Sequence, residues 1–228
     1  MFIRQLPLWI AQTNCWIVSS SKSESECVLV DVPPSPDEIL SVLESSGLKP
    51  VAILATHGHI DHIGGVGAIS RVRFQTESSP DLGVYINRLD KHLLLDPVGT
   101  SGLLGQELAK TGIDVRPPEL IYNLDDGDTF SGSGLNFKVL HTPGHTKGSI
   151  CFVIDDGETG EKILFSGDHL FKGSIGRTDL PGGSFAQLAE SMRSKILTLD
   201  DSVIVLPGHG DTTTIGIERA TNPFVLEM

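Results

Sequence analysis

Apolar residues in this chain fall into short, dense runs. Residues 15–19, 27–32 and 51–56 are rich in Val, Ile and Leu with almost no polar alternation, which predicts strands covered on both faces. Between the last two runs the pattern changes. Ser35-Pro36-Asp37-Glu38 combines a capping hydroxyl, a proline at the first helical position and acids in the first turn. Ile39, Leu40 and Leu43 then share one face and Gly47 supplies a stop, so a helix lying on a sheet is expected there. The second half repeats the theme, with strand-like runs at 135–142, 149–154, 162–166 and 203–206 and an amphipathic helix over 185–197. Asp125-Asp126-Gly127-Asp128 and Asp155-Asp156-Gly157 mark turns between them. Residues 93–118 mix leucines with Gly and Pro and hold no period. They predict a loop and short helix over a core, with a mobile flap over a site as the alternative. No linker separates the two β-rich halves. The expectation is one α/β unit spanning 1–228, with helices outside and two sheets inside as a four-layer αββα sandwich.

Composition narrows the class of partner. The apolar fraction of 39% and charged fraction of 20% are those of a globular chain with a sizeable core. Twenty-nine Asp and Glu against 17 Lys and Arg leave a formal charge of −12, which disfavours nucleic acid as a partner because a polyanion needs clustered cations. Three cysteines without a CxxC pair suit a reducing compartment. The N-terminal apolar run is broken by Pro7, and no window reaches the ~18 apolar residues of a membrane span, so a cytoplasmic protein without membrane contact is expected.

The histidines carry the chemistry. His57, His59 and His62 lie within six residues, Thr56-His57-Gly58-His59-Ile60-Asp61-His62, directly after a strand. Imidazoles at i and i+2 of extended backbone point the same way, so His57 and His59 can share an ion, while Asp61 and His62 can face a second one. Three more strand ends run into glycine turns bearing ligand-type side chains: His141-Thr142-Pro143-Gly144-His145, Ser166-Gly167-Asp168 and Pro207-Gly208-His209. Together they supply five histidines and two aspartates, sufficient for two divalent ions with a position left for water. The donors are nitrogen and oxygen only. That set suits zinc first, with iron or manganese as alternatives.

On these motifs the chain resembles the metallo-β-lactamase superfamily almost from end to end. The resemblance implies the αββα sandwich, a first metal on His57, His59 and His145, a second on Asp61, His62 and His209, and Asp168 bridging both. Within the superfamily, the stretch from Gly167-Asp168-His169-Leu170-Phe171 to Gly176-Arg177-Thr178-Asp179 and the ending Glu218-Arg219-Ala220-Thr221-Asn222-Pro223-Phe224 resemble the hydroxyacylglutathione hydrolases of glyoxalase II type, in a short form. Nineteen residues follow His209, too few for the C-terminal helical domain of the longer enzymes.

The activity implied is hydrolysis of a thioester such as S-D-lactoylglutathione. A dinuclear centre brings the pKa of a bound water from ~15.7 to roughly 7, and the resulting bridging hydroxide can attack a carbonyl. Asp61 is the candidate to orient it and take its remaining proton. Lys147, Lys172 and Arg177 are candidate contacts for a substrate carboxylate, against an internal ion pair of Arg177 with Asp179 and solvent exposure of the lysines. His169 is expected to pack or to support a ligand, His141 to orient one, and His92 to lie on a surface helix. The competing activity is a persulfide dioxygenase with one iron on His57, His145 and Asp168. Lactonase or β-lactamase activity, and a metal-holding module without catalysis, are further alternatives.

Overall fold

The computed structural model describes residues 1–74, 82–157 and 159–228. Two six-stranded sheets face each other. The first runs in the order β1 (Phe2–Leu8), β2 (Thr13–Ser19), β3 (Glu26–Val30), β4 (Lys49–Leu54), β5 (Gly83–Ile86), β6 (Ile121–Asn123), antiparallel from β1 to β3 and parallel from β3 to β6. In the second sheet β7 (Thr129–Gly132), β8 (Leu135–His141), β9 (Ile150–Asp155) and β10 (Lys162–Gly167) form a meander. A small hairpin of β11 (Leu170–Phe171) and β12 (Ser174–Ile175) follows, and then β13 (Ile204–Pro207), parallel to β10, and β14 (Thr213–Thr214) complete the sheet.

Alternation along the strands builds the layers. In β2, Cys15 and Ile17 point to the outer core while Trp16 and Val18 point between the sheets; in β3, Cys27 and Leu29 divide from Val28 and Val30 in the same way. That explains why these runs carry no polar alternation. The space between the sheets is filled by Phe137, Phe152, Phe165 and Leu206 from the second sheet against Trp16, Val30 and Leu54 from the first. A third core lies outside the second sheet, where Cys151 and Leu164 meet Leu188, Met192, Ile196, Ile215 and Val225. Three cores make four layers. On the first sheet's outer face lie α1 (Pro36–Ser46), α2 (Ile60–Ile63), α3 (Val66–Ile69), α4 (Lys91–Leu95), α5 (Pro97–Thr100) and α6 (Gly102–Ala109); α7 (Phe185–Ser191), α8 (Ile215–Thr221) and α9 (Pro223–Leu226) belong to the other side. No described helix is long and apolar enough to cross a membrane.

The expected helix over 35–47 is α1, with Pro36, Ile39 and Leu43 buried and Gly47 closing it at φ 71°. Ser35 makes no side-chain cap bond, so the proline and the first-turn acids provide the start. The expected 185–197 helix is α7 to Ser191 and a π-helical turn over Met192–Ile196, where the Leu197 N–H reaches back to the Met192 carbonyl at 2.8 Å. Residues 93–118 hold the end of α4, α5, α6 and irregular chain; Leu94, Pro97 and Leu108 anchor them. His92 is exposed on α4, as expected.

All three thiols are fully buried. Burial raises Cys15 well above its ordinary range and pushes Cys27 and Cys151 up to about 12. A thiol reagent at pH 8 should therefore modify none in the folded protein and three per chain after denaturation. Fast modification of even one in native buffer would contradict this packing.

Candidate metal centre

Strand direction gathers the site. β8, β10 and β13 all run the same way in the second sheet, so the segments leaving their C-terminal ends emerge together. The end of β4 joins them: the Ile150 N–H donates to the Thr56 carbonyl at 2.8 Å, and a Cβ on Gly167 would stand 2.6 Å from the Thr56 side chain. His57, His59, Asp61 and His62 follow β4, with His62 on the single turn of α2. His145 follows β8 and His209 follows β13. A bulge between Phe165 and Gly167, with Gly167 at φ 49°, aims Asp168 inward.

Three ligand-type groups result. The candidate donor atoms lie within 4.8 Å of one another in each of His57/His59/His145, His57/His62/Asp168 and Asp61/His62/His209. In the first, His145 Nε2 is 2.8 Å from His59 Nδ1 and 3.2 Å from His57 Nε2. In the last, His209 Nε2 is 3.2 Å from Asp61 Oδ2 and 3.3 Å from His62 Nε2. Asp168 stands between: its Oδ2 is 3.5 Å from both His145 Nε2 and His209 Nε2, and its Oδ1 is 3.2 Å from His62 Nε2.

Four rings are oriented from behind. The Nδ1–H of His57 donates to Thr56 Oγ1 (3.1 Å), that of His62 to Asp31 Oδ2 (2.8 Å), that of His145 to the Arg177 carbonyl (2.7 Å) and that of His209 to the Ala11 carbonyl (3.1 Å). Each bond orients its ring so that Nε2 faces the cluster. Imidazole nitrogens that converge to 2.8–3.3 Å from one another are placed to share a cation. Asp168 Oδ1 is buried without a hydrogen-bond partner among the described residues, and a Cβ on Gly208 would fall 2.3 Å from it. An orphaned carboxylate oxygen beside convergent imidazoles, in a cradle only glycine leaves open, fits divalent cations.

Electrostatics agree. Burial, then crowding by His62, His145 and His59, drives His57 well below its ordinary value; burial and His145 bring His59 down to about 4. Burial alone would lower His62 and His209 too. The Asp168 and Asp61 carboxylates outweigh it, holding His62 well above its usual value and His209 up at about 9. Asp61 is brought down to about 2 because neighbouring His62 and His209 overcome its burial, and Asp168 falls well below its range for the same reason. The carboxylate side of the cluster thus demands positive charge.

Several supporting residues carry no motif. Asp31, buried at φ 59°, accepts from the Thr56 N–H and Oγ1–H as well as from His62, each at 2.8 Å. A lone acid inside the apolar run 27–32 is the signal that marks it. Buried Asp90 accepts from the Gly58 N–H, Thr146 Oγ1–H and Gly148 N–H. Asn14 and Trp16 both donate to the Pro207 carbonyl, fastening the His209 loop to the first sheet.

The remaining expected residues lie around the rim. Arg177 forks onto Asp179 with two bonds of 2.8 Å, the internal pair that competes with a substrate contact. Lys172 pairs with Asp211 at 3.1 Å, and Lys147 is exposed. His141 donates Nε2–H to the Lys147 carbonyl, closing the loop that carries His145. His169 is buried with both ring nitrogens lacking partners among the described residues, and burial lowers it to about 3. Leu93 abuts the histidine loop, where a Cβ on Gly58 would stand 2.6 Å from the Leu93 Cβ.

Comparison with known proteins agrees with this geometry. The sequence model of the metallo-β-lactamase superfamily matches residues 9–209, and the chain belongs to that superfamily. It is 34% identical over 228 residues to the hydroxyacylglutathione hydrolase GloC of Haemophilus influenzae, covering 99% of this chain and 98% of that one. Among solved structures it is similar to the BLEG-1 B3 metallo-β-lactamase (35% identity, TM-score 0.79, 98% and 99% of the two chains) and to TTHA1623 in a di-iron-bound form (35%, 0.76, 97% and 99%). The four-layer sandwich is this superfamily's fold, and the chain is a metallo-hydrolase-type protein with a metal-binding His/Asp cluster.

Proposed function

We propose that the protein hydrolyses thioesters, in the manner of hydroxyacylglutathione hydrolases, with two divalent ions at the cluster. The observation that carries this reading is the complete second group: Asp61, His62 and His209 converge as closely as His57, His59 and His145 do, and Asp168 Oδ2 faces both sets. His57, His59 and His145 would hold one ion, Asp61, His62 and His209 the other, and Asp168 would span them. Zinc is the first candidate and iron the second, the latter supported by the di-iron relative. Bound there, such ions supply Lewis-acid polarisation of a carbonyl and a water acidic enough to attack near neutral pH.

The chain's own groups do the rest. Asp61 Oδ2 accepts from Thr13 Oγ1–H at 3.1 Å, which fixes the carboxylate where an attacking water would be oriented and its proton taken up. Thr56, Asp31 and the Arg177 carbonyl keep the His57, His62 and His145 rings aimed at the cluster. A thiolate leaves without protonation, so the lack of a further acid among the residues gathered here suits a thioester.

The test is metal content per chain in protein purified without added metal, with S-D-lactoylglutathione hydrolysis followed by thiol release. Near two ions and thiol release support the reading. One iron with oxygen uptake on a persulfide, and no hydrolysis, overturns it in favour of the dioxygenase. A second reading, β-lactam hydrolysis, is favoured by the full-length similarity to a B3 metallo-β-lactamase; turnover of a chromogenic cephalosporin without thioesterase activity would establish it. Asp61→Asn should remove the second ion, keep the first and lower thioester turnover about a hundredfold. Unchanged turnover with two ions retained would remove Asp61 from the mechanism.

A further inference from the structure

The hairpin β11–β12 leaves the site directly after Asp168 and supplies no ligand-type atom. Its tip nevertheless returns to the cluster. The Phe171 ring lies edge-on to His209 with centroids 6.0 Å apart, and Lys172 pairs with Asp211 beyond it. Phe171, Lys172, His209, Gly210 and Asp211 line a pocket of about 440 Å³ beside the cluster.

Two residues per strand do not hold a hairpin in place. Leu170 and Ile175 root its base in the outer core, where the Leu170 carbonyl also accepts from Ser166 Oγ–H, and the C-terminal segment holds its tip. Glu218 is fully buried and, among the described residues, has no cationic partner; its carboxylate accepts from Thr213 Oγ1–H (2.6 Å), the Gly173 N–H at the hairpin tip (2.8 Å) and Asn222 Nδ2–H (2.8 Å). Asn222, equally buried, also donates to the Ser174 carbonyl at 3.0 Å and the Phe171 carbonyl at 3.4 Å. A buried carboxylate is costly to place, and this one spends its acceptors on tying the hairpin tip to α8.

We propose that the pocket beside His209 receives an uncharged apolar group of the substrate, that Phe171 selects it, and that the Glu218–Asn222 pair is the positioning device that sets Phe171 against His209. The inference rests on the hydrolase reading above and names what that site prefers. Phe171 offers ring surface for burial. Lys172 is already paired with Asp211 at 3.1 Å, so the wall offers a carboxylate or an ammonium little net gain over an apolar group.

The test uses thioether analogues, in which a methylene replaces the thioester carbonyl, bearing a benzyl or a carboxymethyl group. Affinity is read by calorimetry, and kcat and KM on the matching thioesters. The native protein should bind the benzyl analogue at least about tenfold tighter than the carboxymethyl one. Phe171→Ala should erase that preference, and Asp211→Asn, by freeing Lys172, should improve carboxymethyl binding about fivefold. Glu218→Ala and Asn222→Ala should weaken benzyl binding and raise KM rather than lower kcat, with metal content kept, and Glu218→Gln should recover part of the loss. Equal affinity for both analogues in the native protein, or an unchanged preference in Phe171→Ala, overturns the proposal. Clamp variants that melt earlier yet keep the native affinity ratio reduce Glu218 and Asn222 to structural residues and overturn that part. Phe171-dependent binding without hydrolysis of any thioester would remove the hydrolase reading and leave the pocket; hydrolysis with a KM indifferent to Phe171 would do the reverse.

Discussion

Asp168→Ala is expected to abolish metal binding and turnover together. Its carboxylate lies within 3.5 Å of donors in both sets, through Oδ2 to His145 and His209 and through Oδ1 to His62. The five histidines supply no negative charge, so among the described residues of the cluster removal of Asp168 would leave Asp61 as the remaining carboxylate for the ions. Metal content should fall from near two ions per chain to below about one, and hydrolysis by at least about a thousandfold, equivalent to ~4 kcal/mol of barrier. Asp168→Asn keeps the shape and half the oxygen donors but no charge, so it should retain weak, easily chelated metal. Elemental analysis after dialysis against a mild chelator separates these cases, and an Asp168→Ala protein retaining two ions would disprove the bridging position.

Much of the site could be read from the sequence because metal ligation imposes local spacing. His57, His59, Asp61 and His62 belong to one turn of chain, and each other ligand-type residue sits one to four residues past a dense apolar strand. The supporting residues left weaker traces because their partners are remote in sequence. Asp31 meets Thr56 and His62, and Asp90 meets Gly58, Thr146 and Gly148, across 25 to 58 residues. The fold shows the same division. Strands buried on both faces stand out as unbroken apolar runs. By contrast β5, β6 and β7 are three or four residues long, β11, β12 and β14 two, and β1 is an edge strand that tolerates Pro7, so none shows a readable period. The π-helical turn after α7 is invisible for another reason: Met192 and Ile196 have the spacing of any helix face, and the widened bond is a backbone event.

The cations that attract attention in the sequence are also a matter of remote partners. Lys172 follows the bridging aspartate closely, yet its carboxylate, Asp211, comes from the loop after β13, 39 residues on. Arg177 is satisfied two residues away by Asp179. Lys172 and Arg177 are thus matched by acids while Lys147 is exposed, so two of the three rim cations present little free charge to a substrate. That makes Phe171 and its clamp more informative about the substrate than the lysines are.

Asp90→Ala should damage one metal position and spare the other. The carboxylate is buried and takes three bonds: Oδ2 accepts from the Gly58 N–H at 2.9 Å and Thr146 Oγ1–H at 2.6 Å, and Oδ1 from the Gly148 N–H at 2.8 Å. Gly58 separates His57 from His59, and Thr146 follows His145, so one side chain fastens together the two segments carrying all three histidines of the first set. Asp61 and His62 are held further along the same turn by Thr13 and Asp31, and His209 on another loop by the Ala11 carbonyl. Alanine leaves the Gly58 and Gly148 N–H groups unpaired in a dry interior, each costing ~1–3 kcal/mol, while Thr146 Oγ1 keeps Ser149 Oγ at 2.7 Å. The net loss should be about 3 kcal/mol of stability, or a fall of roughly 6–12 °C in Tm for a chain of this length. Affinity at the first position should drop about a hundredfold, because two loops must be ordered at the moment of binding. Asp90→Asn, with one acceptor oxygen and an amide that turns a donor toward a donor, should fall between. Stepwise metal titration against a chromophoric chelator reads both positions. Equal weakening at the two positions would mean that Asp90 supports the fold at large, whereas loss confined to the first would establish it as the tie between the histidine loops.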